Sequence, residues 1–291
     1  MHQRLVVGCG YLGERVARRW VAAGDRVLAT TRRETRADEL ASFGAAPVII
    51  DVTANDPGWR GLFDTAGLPR TVFWGVGFDR AGGGTHRDVH VDGLRRLLDA
   101  LAAARGAGSP PRVILSSSTG VWGDVQGEVV DESTPTNPAR DAGRVLLEAE
   151  ALLAAHPAGP GTSLRFAGLY GPGRLPRLDD LRAGLPIAAD PESWLNLIHV
   201  DDAAAVVTAV ADAAAPGRLY VVSDGHPVRR REWYERLAEA SGSTPPRWDP
   251  AAPRARGADK RVDSARVYRD LGIRPHHPDP LAAAASIVAS E

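Results

Sequence analysis

The stretch LVVGCGYLGERVARRW, residues 5–20, limits the fold of this chain more than any other segment. Leu5–Val7 is a short apolar run of the kind that suits a strand covered on both faces. Gly8, Gly10 and Gly13 follow in G-x-G-x-x-G spacing. Leu12, Val16 and Trp20, four apart, then give one apolar face to a helix from Leu12 to about Ala23. A strand, this glycine turn and a helix in that order open a dinucleotide-binding βαβ unit. The first glycine permits the tight turn, the second lets a pyrophosphate approach the backbone, and the third lets helix and strand pack closely. Tyr11, Leu12 and Gly13 lie where the turn enters the helix, and the N–H groups and dipole there suit an anion. Cys9 lies inside the turn, where a small side chain fits, so its role reads as packing rather than redox chemistry.

Strand-like and helical patterns alternate from there. DRVLATT, APVIIDV, RTVFWGV, RVILSS and TSLRFAGLY read as strands two to six. TRADELASF, HVDGLRRLLDALAAA and ARDAGRVLLEAEALLAA read as helices, the second with Leu94, Leu97, Leu98 and Leu101 at helical spacing. Such alternation predicts an α/β fold, a Rossmann-type doubly wound parallel sheet with helices on both faces. Residues 1–168 are expected to form the dinucleotide-binding domain. Residues 169–291 are expected to be mainly a substrate-binding region, with 196–223 returning to the sheet.

A site for NAD usually carries Asp or Glu at the end of strand two, bonded to the ribose 2′-hydroxyl. Here Thr31, Arg32 and Arg33 stand in that place, and the first acid is Glu34. An arginine fork matches a 2′-phosphate and can bond it through two charge-assisted contacts. The expectation is NADP over NAD, with Arg32 as the leading contact.

The formal net charge is −1, from 35 basic and 36 acidic residues. That argues against nucleic acid or an anionic membrane surface as general partners. No apolar run approaches the length of a membrane span, the N-terminus lacks signal-peptide character, and a cytoplasmic protein is expected. One cysteine excludes an internal disulfide and a multi-cysteine metal site. His86 and His90 would share a helix face, but with no third ligand in view no metal is expected.

RVILSSSTGVWGD, residues 112–124, runs from buried strand into four hydroxyl residues. With it, the chain resembles the extended short-chain dehydrogenase/reductase superfamily, and more closely its atypical epimerase/dehydratase-like members. VVGCGYLG resembles the nucleotide loop of that superfamily. IIDVTAND resembles the segment after strand three, which implies Asp51 and Val52 near the adenine. FWGVGF resembles the segment beneath the cofactor, which implies Gly75, Val76 and Gly77. ILSSSTGVWG is similar to SSS-x-x-V-Y-G, with Trp122 in place of Tyr. LRFAGLYGPG and NLIHVDDAA are similar to two further elements of the superfamily. The resemblance implies Ser118 as the active-site hydroxyl, Thr119 as its neighbour, and Ser116 on the cofactor side. Ser116 and Ser117 are expected to end the strand and bond backbone.

One departure stands out. The superfamily carries Y-x-x-x-K on the helix that reads ARDAGRVLLEAE here. Alignment on Gly143, Arg144 and Glu148 puts Ala142 at the Tyr position and Leu146 at the Lys position. Residues 137–153 contain neither Tyr nor Lys, and Ala and Leu cannot move a proton. Asp141 and Tyr170 are the replacements to weigh for proton transfer. Arg144, Trp122 and His199 are expected on the substrate side. Arg174, Arg177, Trp194 and Trp233 hint at an anionic or ring-bearing ligand. Three functions fit: an NADP-dependent oxidoreductase or epimerase on a small, sugar- or nucleotide-linked substrate, a non-catalytic NADP(H)-binding sensor, or, more weakly, a scaffold whose dinucleotide site is vestigial. Two copies could pair through the helices at 85–104 and 138–155.

Overall fold

The computed structural model describes residues 1–79, 82–106, 109–159, 161–249 and 258–290. In chain order the strands are β1 (Gln3–Val7), β2 (Arg26–Thr31), β3 (Ala46–Ile49), β4 (Thr71–Trp74), β5 (Arg112–Ser118), β6 (Val129–Val130), β7 (Thr162–Phe166), β8 (Gly168–Tyr170), β9 (Trp194–Leu195), β10 (Leu197–His199), β11 (Leu219–Val222), β12 (Val228–Arg229) and β13 (Arg261–Val262). The helices are α1 (Tyr11–Ala22), α2 (Ala37–Ser42), α3 (Trp59–Ala66), α4 (Leu94–Ala104), α5 (Asp141–Ala155), α6 (Leu178–Arg182), α7 (Val200–Asp212), α8 (Arg230–Ser241), α9 (Ala265–Leu271) and α10 (Pro280–Ala289).

Seven strands form the main sheet, in the order β11-β7-β5-β4-β1-β2-β3. β1 pairs in parallel with both β2 and β4. The chain thus winds outward through β2 and β3, then returns to lay β4 on the other side of β1. The carboxyl ends of β1 and β4 are therefore the switch point at which doubly wound sheets bind ligands. Leu5, Val7, Val72, Trp74, Val113 and Leu115 project from one face into a core closed by Trp59 and Phe63 of α3, the leucines of α4, and Val145 and Ala149 of α5. Val6, Phe73 and Ile114 alternate to the opposite face and are also buried. Burial on both faces is why these strands read as unbroken apolar runs.

Contacts divide the chain into two compact units. The first comprises residues 1–118, 141–165 and 204–220, and the second 119–140, 166–203 and 221–291. The second unit thus also takes the segment after β5, and the chain re-enters the first at 204 rather than 196. Its core gathers Tyr170, Leu178, Leu181, Ile187, Trp233, Leu237 and Ala284. TSLRFAGLY is two strands, not one: β7 lies in the main sheet, and β8 pairs with β10 through Gly168–Leu197 to Tyr170–His199. α3 has no counterpart in the sequence reading. It is eight residues long and bounded by Gly58 and Gly67, both at positive φ, so glycine punctuation masks its pattern.

Candidate active site

The glycine loop joins β1 to α1 as its spacing predicts, and each glycine has a different reason to be there. Gly8 adopts φ +83°, and a Cβ on it would lie 2.6 Å from Val76 Cα. A Cβ on Gly13 would lie 2.4 Å from the Gly8 carbonyl oxygen. A Cβ on Gly10 would meet nothing within 4 Å. Two glycines are therefore demanded by protein packing, and the third leaves room for a ligand against the backbone. Gly10 caps α1 with no side-chain bond to the first-turn amides. Leu12 and Gly13 in that turn have no intrahelical acceptor for their N–H groups, a ready anion site. Gly75 and Val76 follow β4 directly against this loop, with the Gly75 N–H donating to Val7 O at 2.8 Å. Gly77 continues that segment. The open space beside Gly10 and the free first-turn N–H groups of α1 fit an anionic group such as a pyrophosphate.

Beyond the loop, Cys9, Gly10, Tyr11, Glu14, Arg15, Thr30, Thr31, Arg32, Arg33 and Arg36 line an open groove of about 390 Å³. Arg32 and Arg33 stand at the end of β2, as expected. Arg15 and Arg36 join them, and the sequence reading missed both. Arg15 stacks on the Tyr11 ring at 4.3 Å, which fits its place one turn beyond. Arg36 comes from the turn before α2 and donates to Glu14 at 2.7 Å; only its four-residue spacing from Arg32 could have pointed to it. Partial burial works against the Glu14 charge, but hydrogen bonds from Arg36 and Arg18 outweigh it and hold the carboxyl below its usual range. Arg32 donates to Asp79 at 2.9 Å, and both side chains are exposed. Such a surface pair is weak and exchangeable. Burial, and then Glu14, push the Cys9 thiol up to about 12, so it is not a nucleophile at neutral pH.

Asp51 closes an Asx turn after β3, accepting from Thr53 N–H and hydroxyl at 2.9 and 2.7 Å. The Thr53 hydroxyl, chiefly, holds its carboxyl below the usual range. Val52 beside it is buried. Ser116, Ser117 and Ser118 end β5. Ser117 does not bond backbone: it donates to Glu150 at 2.6 Å, and Glu150 is clasped by Arg165 through two bonds at 3.0 and 2.7 Å. That fixed triad anchors α5 under β5. On α5, Arg144 pairs with Asp141 at 3.4 Å at the surface.

The second unit corrects three expectations. Tyr170 is 0% exposed and packs edge-on against His199 and Trp233. Burial and nearby Asp224 push its hydroxyl up, so it holds its proton and is not an acid/base group. His199 is buried, stacks on His277 at 3.8 Å, and accepts from Asp201 N–H at 3.2 Å, so it is a packing residue rather than a substrate contact. Trp233 lies in the core of this unit and not on a ligand surface. Thr119 opens the turn that leads to Trp122, whose N–H donates to Thr119 O at 3.3 Å. Trp122 is itself buried, its indole N–H donating to Thr134 O at 3.1 Å.

The model of the NAD dependent epimerase/dehydratase family matches residues 4–223, from β1 to the end of the main sheet. The chain belongs to that family. It is 32% identical to Protein YeeZ of Escherichia coli over 97% of this chain and 98% of that one. A conserved protein of unknown function from Silicibacter pomeroyi shares 27% identity and superposes with a TM-score of 0.78, over 100% of this chain and 99% of that one. The UDP-glucose 4-epimerase of Thermotoga maritima, solved with UDP-glucose, superposes with a TM-score of 0.82 at 18% identity, over 100% and 99% of the two chains, a likeness of fold alone. Within this epimerase/dehydratase family, the glycine loop, Asp51 and Gly75–Gly77 fall in the matched residues. No helix among the described residues is long and apolar enough to cross a membrane.

Proposed function

We propose that this epimerase/dehydratase-family chain is an NADP(H)-preferring oxidoreductase or epimerase acting on a small polar substrate. One observation carries the cofactor preference: four arginines, and no carboxylate at the end of β2, line the groove beside the glycine loop. Arg32 leads, because its partner Asp79 is exposed and yields readily to a 2′-phosphate, whose bidentate contact is stronger. Gly10–Gly13 would hold the pyrophosphate, Asp51 and Val52 the adenine side, and Gly75–Gly77 and Ser116 the inner face. The nicotinamide, when bound, supplies reversible hydride acceptance. Ser118 and Thr119 place hydroxyls that can orient a substrate carbonyl or alcohol. Arg32→Ala should weaken NADPH at least tenfold while leaving NADH within threefold, read by calorimetry. Equal losses for both nucleotides would refute the assignment. A second reading, a non-catalytic NADP(H) sensor, draws on α5, which offers neither Tyr nor Lys between residues 137 and 153. Tight NADPH binding without turnover of any carbonyl would favour it.

A further inference from the structure

β2 runs apolar through Val27, Leu28 and Ala29, all buried, and then places a hydroxyl in the same interior: Thr30 is 2% exposed. A buried hydroxyl is costly unless it is bonded, and valine has the same shape without that cost. Thr30 Oγ1 has one partner among the described residues, the Gly8 N–H, which donates to it at 2.9 Å. The Thr30 carbonyl accepts from the next amide, Cys9 N–H, at 3.0 Å. One residue of β2 therefore takes the first two N–H groups of the glycine turn. The hold continues into the helix. Gly8 O accepts from Gly10 N–H at 2.8 Å, and Gly10 O accepts from Glu14 N–H at 2.8 Å in the first turn of α1. Glycine visits many backbone conformations, so the φ of +83° at Gly8 is held by these bonds and by the wall at Val76. On its other side Thr30 is followed directly by Thr31, Arg32 and Arg33, and Thr31 O accepts from Ile50 N–H at 3.0 Å. Thr30 thus ties the glycine loop to the strand end that carries the arginines, and it lines the groove they share. All of these residues lie in one compact unit.

We propose that Thr30 is a positioning residue for the dinucleotide. Its hydroxyl sets the Gly8 peptide, and through it the Gly10 backbone, so that the open space beside Gly10 and the first-turn N–H groups of α1 are presented to the pyrophosphate. The proposal rests on the dinucleotide-binding reading above. Thr30 acts through the glycine loop and not on the 2′-phosphate. It therefore governs affinity for the part that NADPH and NADH share, and leaves the choice between them to the arginines. The alternative, a hydroxyl that only stabilises the fold, predicts a lower melting temperature with unaltered affinity in the folded protein.

Wild type, Thr30→Val and Thr30→Ser are titrated with NADPH and with NADH by calorimetry, well below their melting temperatures. Thr30→Val keeps the shape of the side chain and removes the acceptor. It should bind each nucleotide about tenfold more weakly, with the ratio of the two affinities within twofold of wild type. Thr30→Ser keeps the hydroxyl and should bind both within threefold of wild type. Thr30→Val affinities within twofold of wild type, or a Thr30→Ser protein as weak as Thr30→Val, would overturn the proposal. Hydrogen–deuterium exchange on the nucleotide-free proteins reads the loop itself. The peptide spanning residues 5–13 should exchange faster in Thr30→Val than in wild type or Thr30→Ser, with peptides from β4 and β5 unchanged. An unchanged loop peptide, or exchange raised equally across the sheet, would also overturn it. Wild-type protein that binds neither nucleotide refutes the underlying reading, whereas intact wild-type binding with undiminished Thr30→Val affinity refutes Thr30 alone.

Discussion

At the scale of single residues, burial decides which titratable groups are chemically idle and which govern stability. Asp224 is 2% exposed, and its Oδ2 has no hydrogen-bond partner among the described residues. Burial, then the charges of Asp202 and Asp279, push its carboxyl up to about 8, against the backbone hydrogen bond from His226. A folded-state value above the unfolded one means the fold holds the proton, so stability falls as pH rises from about 4 to 8. His90 runs the other way: burial, then His86, bring it down to about 4, so its stability rises from about 4 to 6.5. Between pH 6.5 and 8 Asp224 acts without that offset. Over that interval the wild-type protein should lose about 2 kcal/mol, at about 1.4 kcal/mol per pH unit, a fall of a few degrees in melting temperature. Asp224→Asn should flatten the curve, as thermal melts at the two pH values would show; an unchanged slope would mean that Asp224 is ionised in the fold. None of this was legible in the sequence, because a burial-driven shift depends on what packs around a side chain. Tyr170 and His199 were misread for the same reason: their motifs gave their positions but not their enclosure.

At the scale of elements, much was legible. The glycine loop, the ends of β2 and β5, and the apolar faces of α1 and α4 follow from spacing alone, and Leu94, Leu97, Leu98 and Leu101 are all fully buried. The failures have local causes. Gly168 follows the end of β7 and begins a strand with a different partner, which an unbroken apolar run cannot reveal. The start of the long helix at 88–93 is wound as a π-helix before α4, a backbone detail without a residue signature. The glycine loop yields a discriminating pair of substitutions. Gly13→Ala forces a Cβ to 2.4 Å from the Gly8 carbonyl and should cost about 1–3 kcal/mol, the range for overpacking. Gly10→Ala meets no protein atom, so its melting temperature should stay within a degree or two of wild type while nucleotide affinity falls at least tenfold. Thermal melts and nucleotide titration on the two variants test this. A Gly10→Ala protein that binds nucleotide normally would show that the open space beside Gly10 is not where the pyrophosphate lies.

At the scale of the whole molecule, the fold was legible because several weak signals agree in order. Strand, glycine loop and helix are followed by strand ends rich in glycine or hydroxyls, as a doubly wound sheet requires. The apportioning of the chain was harder. The second unit takes 119–140 and 166–203 as well as the tail, and such interleaving leaves no composition shift or linker to read. Trp233, expected toward a ligand, proved to be core. The guanidinium groups of Arg229 and Arg261 lie 3.7 and 5.5 Å from the centre of the Trp194 ring. We propose that this chain reads the 2′-phosphate of NADP(H) with the arginines beside its glycine loop. Calorimetric titration of the wild-type protein with NADPH and with NADH tests it most directly. Both should bind, with NADPH at least tenfold tighter. Equal affinities, or a preference for NADH, would contradict it.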